Sequence, residues 1–474
     1  MAPQGGWRPS AAVAWSAAEA AAAGLFSFAS AFFVARLVGP AALGIGAAVV
    51  SVHVLLWVGV NALFADALVQ RATWEEATGA SAFWASAVIG GLAALVQAGA
   101  GLPLAWLFAD RRIPLMALVL AGPLPLVGAA GAVQGRLTRE RRYRLLASRV
   151  LFGQGAGTAV GCAAAWGGAG AWAVVAQQAV TSAAGAAVLL VGAGWWPRPR
   201  RVRGAVRGLL RIGGPLTLST LVLHGRYRVF LLLLGGEAGP RVLGEVHMAF
   251  RLVDSLRELV STALWRLLLP VFSECQARPA ALRAAMERAL AQSGRLLFPL
   301  CGAMLVGLGP ATRLLLGPGW GQAAAATAPL VALAAWQFLT FPAGAATVAR
   351  GAPGVALRAN LMSLGLLVAG VLGAGPAAPL AAVGLWCAAL LAPAPYALRA
   401  SARVVGAPVW HLLRAGMPAL LVAAAASLLA IGVPALAEDS PTPAWALATR
   451  LAVGLAVIGP GLWGLARVRR TRRG

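Results

Sequence analysis

Four ionisable side chains recur at helical spacing near the middle of the chain. His247, Arg251, Asp254 and Glu258 are separated by 4, 3 and 4 residues, which at about 100° per residue places them within roughly 60° on one helix face. An arginine on such a face can bind an anion, and the carboxylates can hold protons or cations. Two structural alternatives stay open: Arg251 and Asp254 form an internal i,i+3 ion pair, or the stripe is a helix end that reaches lipid headgroups. Arg257 lies about 80–100° off the stripe.

Two further arginines, Arg226 and Arg228, stand in the apolar segment before this stripe. Because they are two residues apart, they point about 160° apart on a helix and cannot both face one cavity unless the helix is broken. The upstream run Gly213-Gly214-Pro215 allows a bend. We expect one arginine to face a cavity and the other to snorkel or to pair with a neighbouring helix. Which of the two faces the cavity stays open.

The first apolar segment carries a small, polar face at helical spacing. Glu19 is the only carboxylate in that segment, which makes it a candidate site for a proton or cation. The same face equally suits close packing of helices through small residues. The face of the first segment comprises Ser16, Glu19, Ala23, Ser27 and Ser30.

In the second segment, His53 is better interpreted as a packed, hydrogen-bonded histidine than as a switch.

Composition identifies the elements that must position these groups. The chain has 474 residues, 60% hydrophobic and 11% charged, with a mean hydropathy of +0.79, whereas a soluble protein carries about 25% charged residues. Such a chain cannot cover a water-facing surface, which excludes a soluble enzyme and a nucleic-acid-binding domain. We predict an all-α polytopic membrane protein. The four cysteines lack CxxC spacing, so we expect no metal site, no disulfide framework and no cofactor.

About fourteen segments are apolar and long enough to cross a bilayer as helices, since a crossing takes about 20 residues. They lie near residues 11–35, 45–62, 81–107, 114–132, 145–166, 169–194, 212–234, 243–264, 292–312, 322–346, 356–374, 377–397, 415–434 and 443–465.

Arginine placement sets the direction of these spans. With the N-terminus inside, 28 of the 39 basic residues fall on the cytoplasmic side, 6 on the outer side and 5 within spans, as the positive-inside rule predicts. We therefore expect both termini to be cytoplasmic. The net charge of +25 is explained by contact with anionic lipid, so we expect no nucleic-acid partner. The segment 266–291 is predicted to be an amphipathic helix on the inner leaflet.

An internal repeat organises the spans. Gly39-Pro40-Ala41-Ala42-Leu43-Gly44 recurs 200 residues later as Gly239-Pro240-Arg241-Val242-Leu243-Gly244. Because an even number of spans separates the copies, both turns face the same side, which predicts two parallel six-helix lobes around a central cavity. A chance match in a Gly- and Pro-rich chain is the alternative. The predicted domains are an N-terminal lobe at 1–197, a basic cytoplasmic linker at 198–211, a C-terminal lobe at 212–400, and a helix pair with a basic tail at 401–474.

Several stretches, in order, resemble one known family. FFVARLVGPAALGIGAA, LLLLGGEAGPRVLGEVHMAFRLVD, LLLPVFSECQ and LLLGPGWGQAA are similar to signatures of the polysaccharide transporter (Wzx-type) family, over residues 25–345. The resemblance implies two six-helix lobes and a flippase of the multidrug and oligosaccharidyl-lipid exporter superfamily. Many members of the family carry an aspartate in the seventh span where this chain has Arg226 or its neighbours, so a shared ion-coupling residue there is in doubt.

This resemblance implies a function and its partners. The expected activity moves undecaprenyl-pyrophosphate-linked oligosaccharide from the inner to the outer leaflet of the bacterial cytoplasmic membrane. The expected protein is a monomer that works with polysaccharide assembly proteins. On this interpretation Arg226, Arg228, Arg251 and His247 line the substrate cavity. Glu19, Asp254 and Glu258 are the candidates for ion coupling.

Two other functions are weighed against this one. A multidrug extruder of the same superfamily would favour an acidic, aromatic cavity for cationic cargo. This chain instead carries five arginines in its spans, which favours an anionic cargo. A membrane enzyme such as a glycan polymerase would need a large outer loop with convergent polar groups, and no predicted outer loop exceeds roughly a dozen residues, so we expect no enzyme. The intramembrane arginines are Arg149, Arg226, Arg228, Arg251 and Arg257.

Overall fold

The computed structural model describes most of the chain as helix, with no strand among the residues it describes. Residues 30–38 form the end of the first predicted span. Glu19, the final predicted span and most of the one before it lie outside the described residues. The described residues are 28, 30–71, 73–199, 204–406, 408–414, 416–422 and 424–425.

Helices follow one another with short connections. The first half of the chain contains α1 (Pro40–Gln70), α2 (Glu76–Phe108), α3 (Ile113–Ala121), α4 (Leu124–Arg139), α5 (Tyr143–Trp166) and α6 (Ala171–Ala193). The second half contains α7 (Ala205–Glu274), α8 (Pro279–Leu316), a 3-10 turn (Pro318–Trp320), α9 (Gly321–Ala349), α10 (Gly354–Ala374), α11 (Pro379–Leu391), α12 (Ala394–Val405) and α13 (Val409–Leu413).

Eight of the described helical segments are long and apolar enough to cross a membrane. A ninth is formed if two parts of α7, Ala205–Val222 and His224–Ser255, which are bent by 47° relative to each other, count as one span. In two of the eight, a pair of consecutive helices makes one span: α3 with α4, and α11 with α12. The all-α polytopic fold is confirmed, and the total of fourteen spans stays a prediction. Helix α5 is not among the eight, although it has 24 residues, because Arg149 and Gln154 interrupt its apolar sequence.

The chain divides into two compact units, Met1–Gly244 and Glu245–Gly474. Their boundary lies inside α7, just after a break at Gly239, where φ is 81°. Helix α7 begins at Ala205, inside the segment expected to be a linker. The domain bounds predicted from the sequence stay a prediction.

The two repeated turns have the same backbone conformation. Gly39 has φ 77° and ψ 166°, and Gly239 has φ 81° and ψ 172°, a region of φ that favours glycine. The turns also contact each other: a Cβ on Gly44 would overlap the carbonyl oxygen of Pro240, and one on Gly244 would overlap that of Pro40. Glycine is therefore required where the two copies cross.

Apolar side chains form the core of each unit. In the first unit, α1, α2, α4 and α6 bury Phe64, Leu68, Phe83, Val133 and Leu189 together. In the second unit, Leu282 and Met286 at the start of α8 are fully buried with Phe272, Ala345 and Val405. The apolar face of segment 266–291 therefore packs against protein, and its position on the inner leaflet stays a prediction.

The loop between α2 and α3, which lies outside the helical spans, is held by a local ion pair. The Asp110 carboxylate accepts hydrogen bonds from Arg112 Nη2 at 2.7 Å, from Arg112 Nε at 3.0 Å and from the Arg112 backbone N–H at 2.9 Å. The bonds from Arg112 hold the pKa of Asp110 below its usual range. This contact links Asp110 to Arg112, the residue immediately before α3.

Candidate functional site

A partly open cavity with a mixed polar and apolar lining lies in the first unit, among helices α1, α4, α5 and α6. Its volume is about 340 Å³, within the range of ligand pockets. Apolar side chains such as Val54, Val127 and Leu189 form part of the wall. The polar part of the wall comes from α1, α5 and α6 and comprises Asn61, Arg149, Gln154, Gln178, Thr181 and Ser182.

Gln134 of α4, which does not line the cavity, holds the side chains of Asn61 and Arg149 in place. Its Oε1 accepts a hydrogen bond from Asn61 Nδ2 at 3.3 Å and another from Arg149 Nη1. The guanidinium carbon of Arg149 also lies 6.0 Å from the ring centroid of Trp57, at the outer limit of a cation–π contact. Residues on two other helices, α1 and α4, thus set the direction of Arg149.

A second chain of hydrogen bonds runs along α6. The Ser182 hydroxyl lies 3.0 Å from His53 Nε2 and accepts a hydrogen bond from Gln178 Nε2 at 3.3 Å. His53 is fully buried and Ser182 is 6% exposed. The structure therefore shows His53 packed and hydrogen-bonded, as the favoured interpretation predicted. Its contact with Ser182 positions the edge of the cavity.

Glycines bring α5 and α6 close enough to enclose this cavity. A Cβ on Gly153 would lie 3.0 Å from the Thr181 carbonyl oxygen, and one on Gly157 would overlap the Thr181 hydroxyl. Small residues allow such close approach of helices in a membrane. Gly185 leaves room on the other side, since its Cβ would make only ordinary contact with Arg149, 3.6 Å from Cγ.

The predicted cavity arginines of α7 lie on both sides of the break at Gly239, with Arg226 and Arg228 before it and Arg251 after it. Arg226 and Arg228 are half-buried and precede Gly239, and the guanidinium carbon of Arg228 lies 5.3 Å from the Tyr227 ring centroid. Arg226 and Arg228 belong to the first unit, whereas the stripe that starts at His247 belongs to the second. Which arginine faces a cavity therefore stays a prediction.

The stripe itself lies on continuous helix in the second unit. His247, Arg251 and Asp254 are half-buried on α7. Glu258 is in the same helix, and its side chain lies outside the described part of the structure. The Asp254 carboxylate accepts a hydrogen bond from Arg257 Nε at 2.7 Å. Arg257, which helical spacing placed off the stripe, thus binds the central carboxylate of the stripe.

Arg257 also extends this contact to a second helix. Its Nη1 donates a hydrogen bond to Gln337 Oε1 of α9 at 3.2 Å. Asp254 and Arg257 are each about one-third exposed. The pair therefore stands in a partly exposed position.

Sequence reasoning missed most of the cavity in the first unit. It singled out Arg149 only as one of five intramembrane arginines, and it did not use the amides. The available signal was the presence of amide side chains in otherwise apolar helices, at Asn61, Gln134, Gln154 and Gln178. These residues are separated by up to 117 positions along the chain, so no local spacing could bring them together.

Solved structures similar to this fold are membrane transporters. The lipid II flippase MurJ, in an inward closed conformation, has a TM-score of 0.73 at 10% identity, with 96% of this chain and 99% of that chain covered. An inward-facing multidrug resistance MATE family transporter of the MOP superfamily has a TM-score of 0.60 at 15% identity, covering 88% and 96%. A MOP superfamily transporter from Pyrococcus furiosus, titled for the reverse polarity of its binding pocket, has a TM-score of 0.50 at 14% identity, covering 88% and 96%.

The chain therefore has the fold shared by MurJ and the MATE transporters of the MOP superfamily, a class of multi-pass membrane transporters and flippases. Residues 33–325, more than half of the chain, match the family described as "Polysaccharide biosynthesis protein". The chain belongs to this family, which confirms the resemblance found in the sequence. No curated relative matches the chain in sequence.

Proposed function

We propose that this protein is a flippase that moves undecaprenyl-pyrophosphate-linked oligosaccharide from the inner to the outer leaflet by alternating access. The observation that carries the proposal is the set of arginines in the spans of a flippase fold, where a buried charge is costly and marks a functional path. Arg226, Arg228 and Arg251 are all half-buried in the described helices. Arginine binds phosphate oxygens through two parallel hydrogen bonds, which suits a pyrophosphate cargo.

The α7 residues have separate roles in this proposal. Arg226 or Arg228, with Arg251 and His247, line the path of the anionic headgroup. Asp254, Glu258 and Glu19 couple transport to a proton or cation gradient. The ion pair between Asp254 and Arg257 supports this role. A carboxylate that releases an arginine when it binds a proton or cation can couple that binding to a conformational step of transport.

The setting follows from the same proposal. The protein works as a monomer in the bacterial cytoplasmic membrane, with both termini on the cytoplasmic side and with polysaccharide assembly proteins as partners. It transports its substrate and catalyses no covalent step, as the transporter fold supports. The polyprenyl tail stays in the bilayer while the headgroup crosses.

The test is the pool of polyprenyl-linked intermediates in a deletion strain, sorted by membrane leaflet. The proposal predicts that one glycan-pyrophosphate lipid accumulates on the cytoplasmic face and that the wild-type gene restores its export. An unchanged pool, together with no flipping by the purified protein in vesicles, would contradict the proposal. Efflux of cationic dyes by the same vesicles would then favour the multidrug extruder.

Coupling is tested in the same vesicles with the triple variant Glu19→Gln, Asp254→Asn and Glu258→Gln. We expect a flipping rate that no longer responds to an imposed pH or sodium gradient. A variant that keeps both the wild-type rate and its gradient dependence would rule out these carboxylates. Glu237→Gln, a carboxylate on α7 that stands outside the stripe and is exposed, is the matched control.

A further inference from the structure

The cavity of the first unit has a chemistry of its own. Asn61, Gln154 and Gln178 line it with amides, and Thr181 and Ser182 add hydroxyls. Asn61 and Gln178 each use one amide donor within the protein, and the Thr181 hydroxyl donates to the Gln177 carbonyl oxygen, so the wall offers acceptors together with the remaining amide donors. Trp57 adds an aromatic surface to the same wall. Such a mixed set matches a ligand whose own groups both donate and accept, rather than a simple ion.

These polar groups are held in place before any ligand arrives. Gln134 orients Asn61 and Arg149, and Ser182 links Gln178 of α6 to His53 of α1. Groups fixed on rigid helices lose little conformational freedom on binding. Because polar side chains at membrane depth are costly, a fixed set of them around an open volume points to use.

The size of the cavity limits the ligand. A volume of about 340 Å³ lies near the lower end of the range of small-molecule pockets, about 300–1,000 Å³. This is room for one sugar ring, and because the cavity is partly open, the rest of an oligosaccharide would extend beyond it. Hydroxyls of such a ring would meet the amides of α1, α5 and α6, and a C–H face of the ring would pack on Trp57.

We propose that this cavity is a sugar subsite, which binds one pyranose unit of the glycan. The proposal deepens the proposed function and depends on it for the identity of the cargo. Arg149 then acts as a hydrogen-bond donor to sugar oxygens, positioned by Gln134 and Trp57. The amides would select among sugars by the orientation of their hydroxyls, since a buried amide left without a partner lowers affinity.

The test is binding of small glycosides to the full chain in lipid nanodiscs. The probes are the methyl glycosides of glucose, galactose, mannose and N-acetylglucosamine, observed by saturation-transfer NMR. We expect at least one glycoside to bind and Gln178→Leu to weaken that binding at least tenfold, a change that corresponds to the loss of a well-made hydrogen bond. Gly185→Val, which adds bulk beside Arg149, should have the same effect.

Gln97→Leu is the matched control. Gln97 is a fully buried amide of α2 in the same unit, and it does not line the cavity. This variant should bind the glycoside within about twofold of the wild type. Thermal unfolding of each variant separates loss of binding from loss of fold.

Three results would overturn the proposal. They are an absence of binding for every glycoside, binding that Gln178→Leu and Gly185→Val leave unchanged, and displacement of the bound glycoside by inorganic pyrophosphate, which would make the cavity an anion site. Glycoside binding does not require transport. Glycoside binding without flipping would therefore contradict the proposed function alone, and flipping without glycoside binding would contradict the sugar subsite alone.

Discussion

At the scale of single residues, the described polar groups act in pairs that join helices. Gln134 is the clearest case, since one carbonyl oxygen serves both Asn61 and Arg149. The sequence could predict that arginines in the spans matter, because their type alone is unusual in lipid. It could not predict Gln134, because a lone amide in an apolar helix has no spacing that reveals its partner.

Replacing Gln134 tests this arrangement. Gln134→Leu leaves Asn61 and Arg149 without their shared acceptor, so we expect the free energy of unfolding to fall by about 1–3 kcal/mol and flipping to slow. Gln134→Glu keeps an acceptor and adds an ion pair to Arg149, and it should retain stability close to that of the wild type. Unfolding in detergent and flipping in vesicles measure the two effects. Equal behaviour of the two variants would contradict the role assigned to the carbonyl oxygen.

The loop between α2 and α3 offers a residue whose effect depends on pH. Because Arg112 holds the pKa of Asp110 below its usual range, the ionised carboxylate stabilises the fold above the unfolded-state pKa, near 3.9, and this contribution is lost as the pH falls through the folded-state pKa. Asp110→Asn should therefore lower the thermal midpoint at pH 7 and make no difference in strong acid. Arg111→Gln is the control, since the described hydrogen bonds of the Asp110 carboxylate all come from Arg112. A difference that grows on acidification would contradict the sign.

At the scale of elements, apolar length and Gly-Pro turns were the reliable signals. The repeat of residues 39–44 at 239–244 was identified from the sequence, and Gly39 and Gly239 have matching dihedral angles in the structure. For segment 266–291, the amphipathic pattern predicts that one face is buried and does not show what buries it. Here the partners are apolar residues of α9 and α12, which are distant in sequence.

The crossing of the two turns gives a prediction for α1. Gly44→Ala places a Cβ on the Pro240 carbonyl oxygen, and we expect a loss of about 1–3 kcal/mol from overpacking. Gly59→Ala, in the same helix, meets only Leu221 side-chain atoms at 3.7 Å and beyond and should be neutral or stabilising by up to about 1 kcal/mol. Thermal unfolding of the purified variants measures both. Similar midpoints for the two would show that the crossing tolerates a side chain.

At the scale of the whole molecule, composition and short motifs predicted most of the fold. The all-α polytopic architecture followed from hydropathy alone, and the family followed from short motifs in a fixed order. The direction of the chain in the membrane rests on the uneven placement of 39 basic residues. The total of fourteen spans stays a prediction, because most of the first and of the thirteenth predicted spans and all of the fourteenth lie outside the described residues.

Reporter fusions test the orientation. An enzyme that works only in the cytoplasm should be active when fused after residue 198 or at the C-terminus, and inactive when inserted near residue 438. The physical reason is that arginine-rich segments are retained on the cytoplasmic side. Activity at residue 438 with none at the C-terminus would reverse the assigned direction.

The polarity of α5 also determines how the chain can be made. A nascent helix enters the bilayer from the translocon according to its own hydrophobicity, and α5, with Arg149 and Gln154, is a poor candidate for entry alone. Its glycine face matches α6, which is apolar enough to cross a membrane. Helix α5 should therefore wait at the translocon until α6 has been synthesised and enter with it as a hairpin. The polar surface needed for the cavity thus makes one helix dependent on the next during biosynthesis.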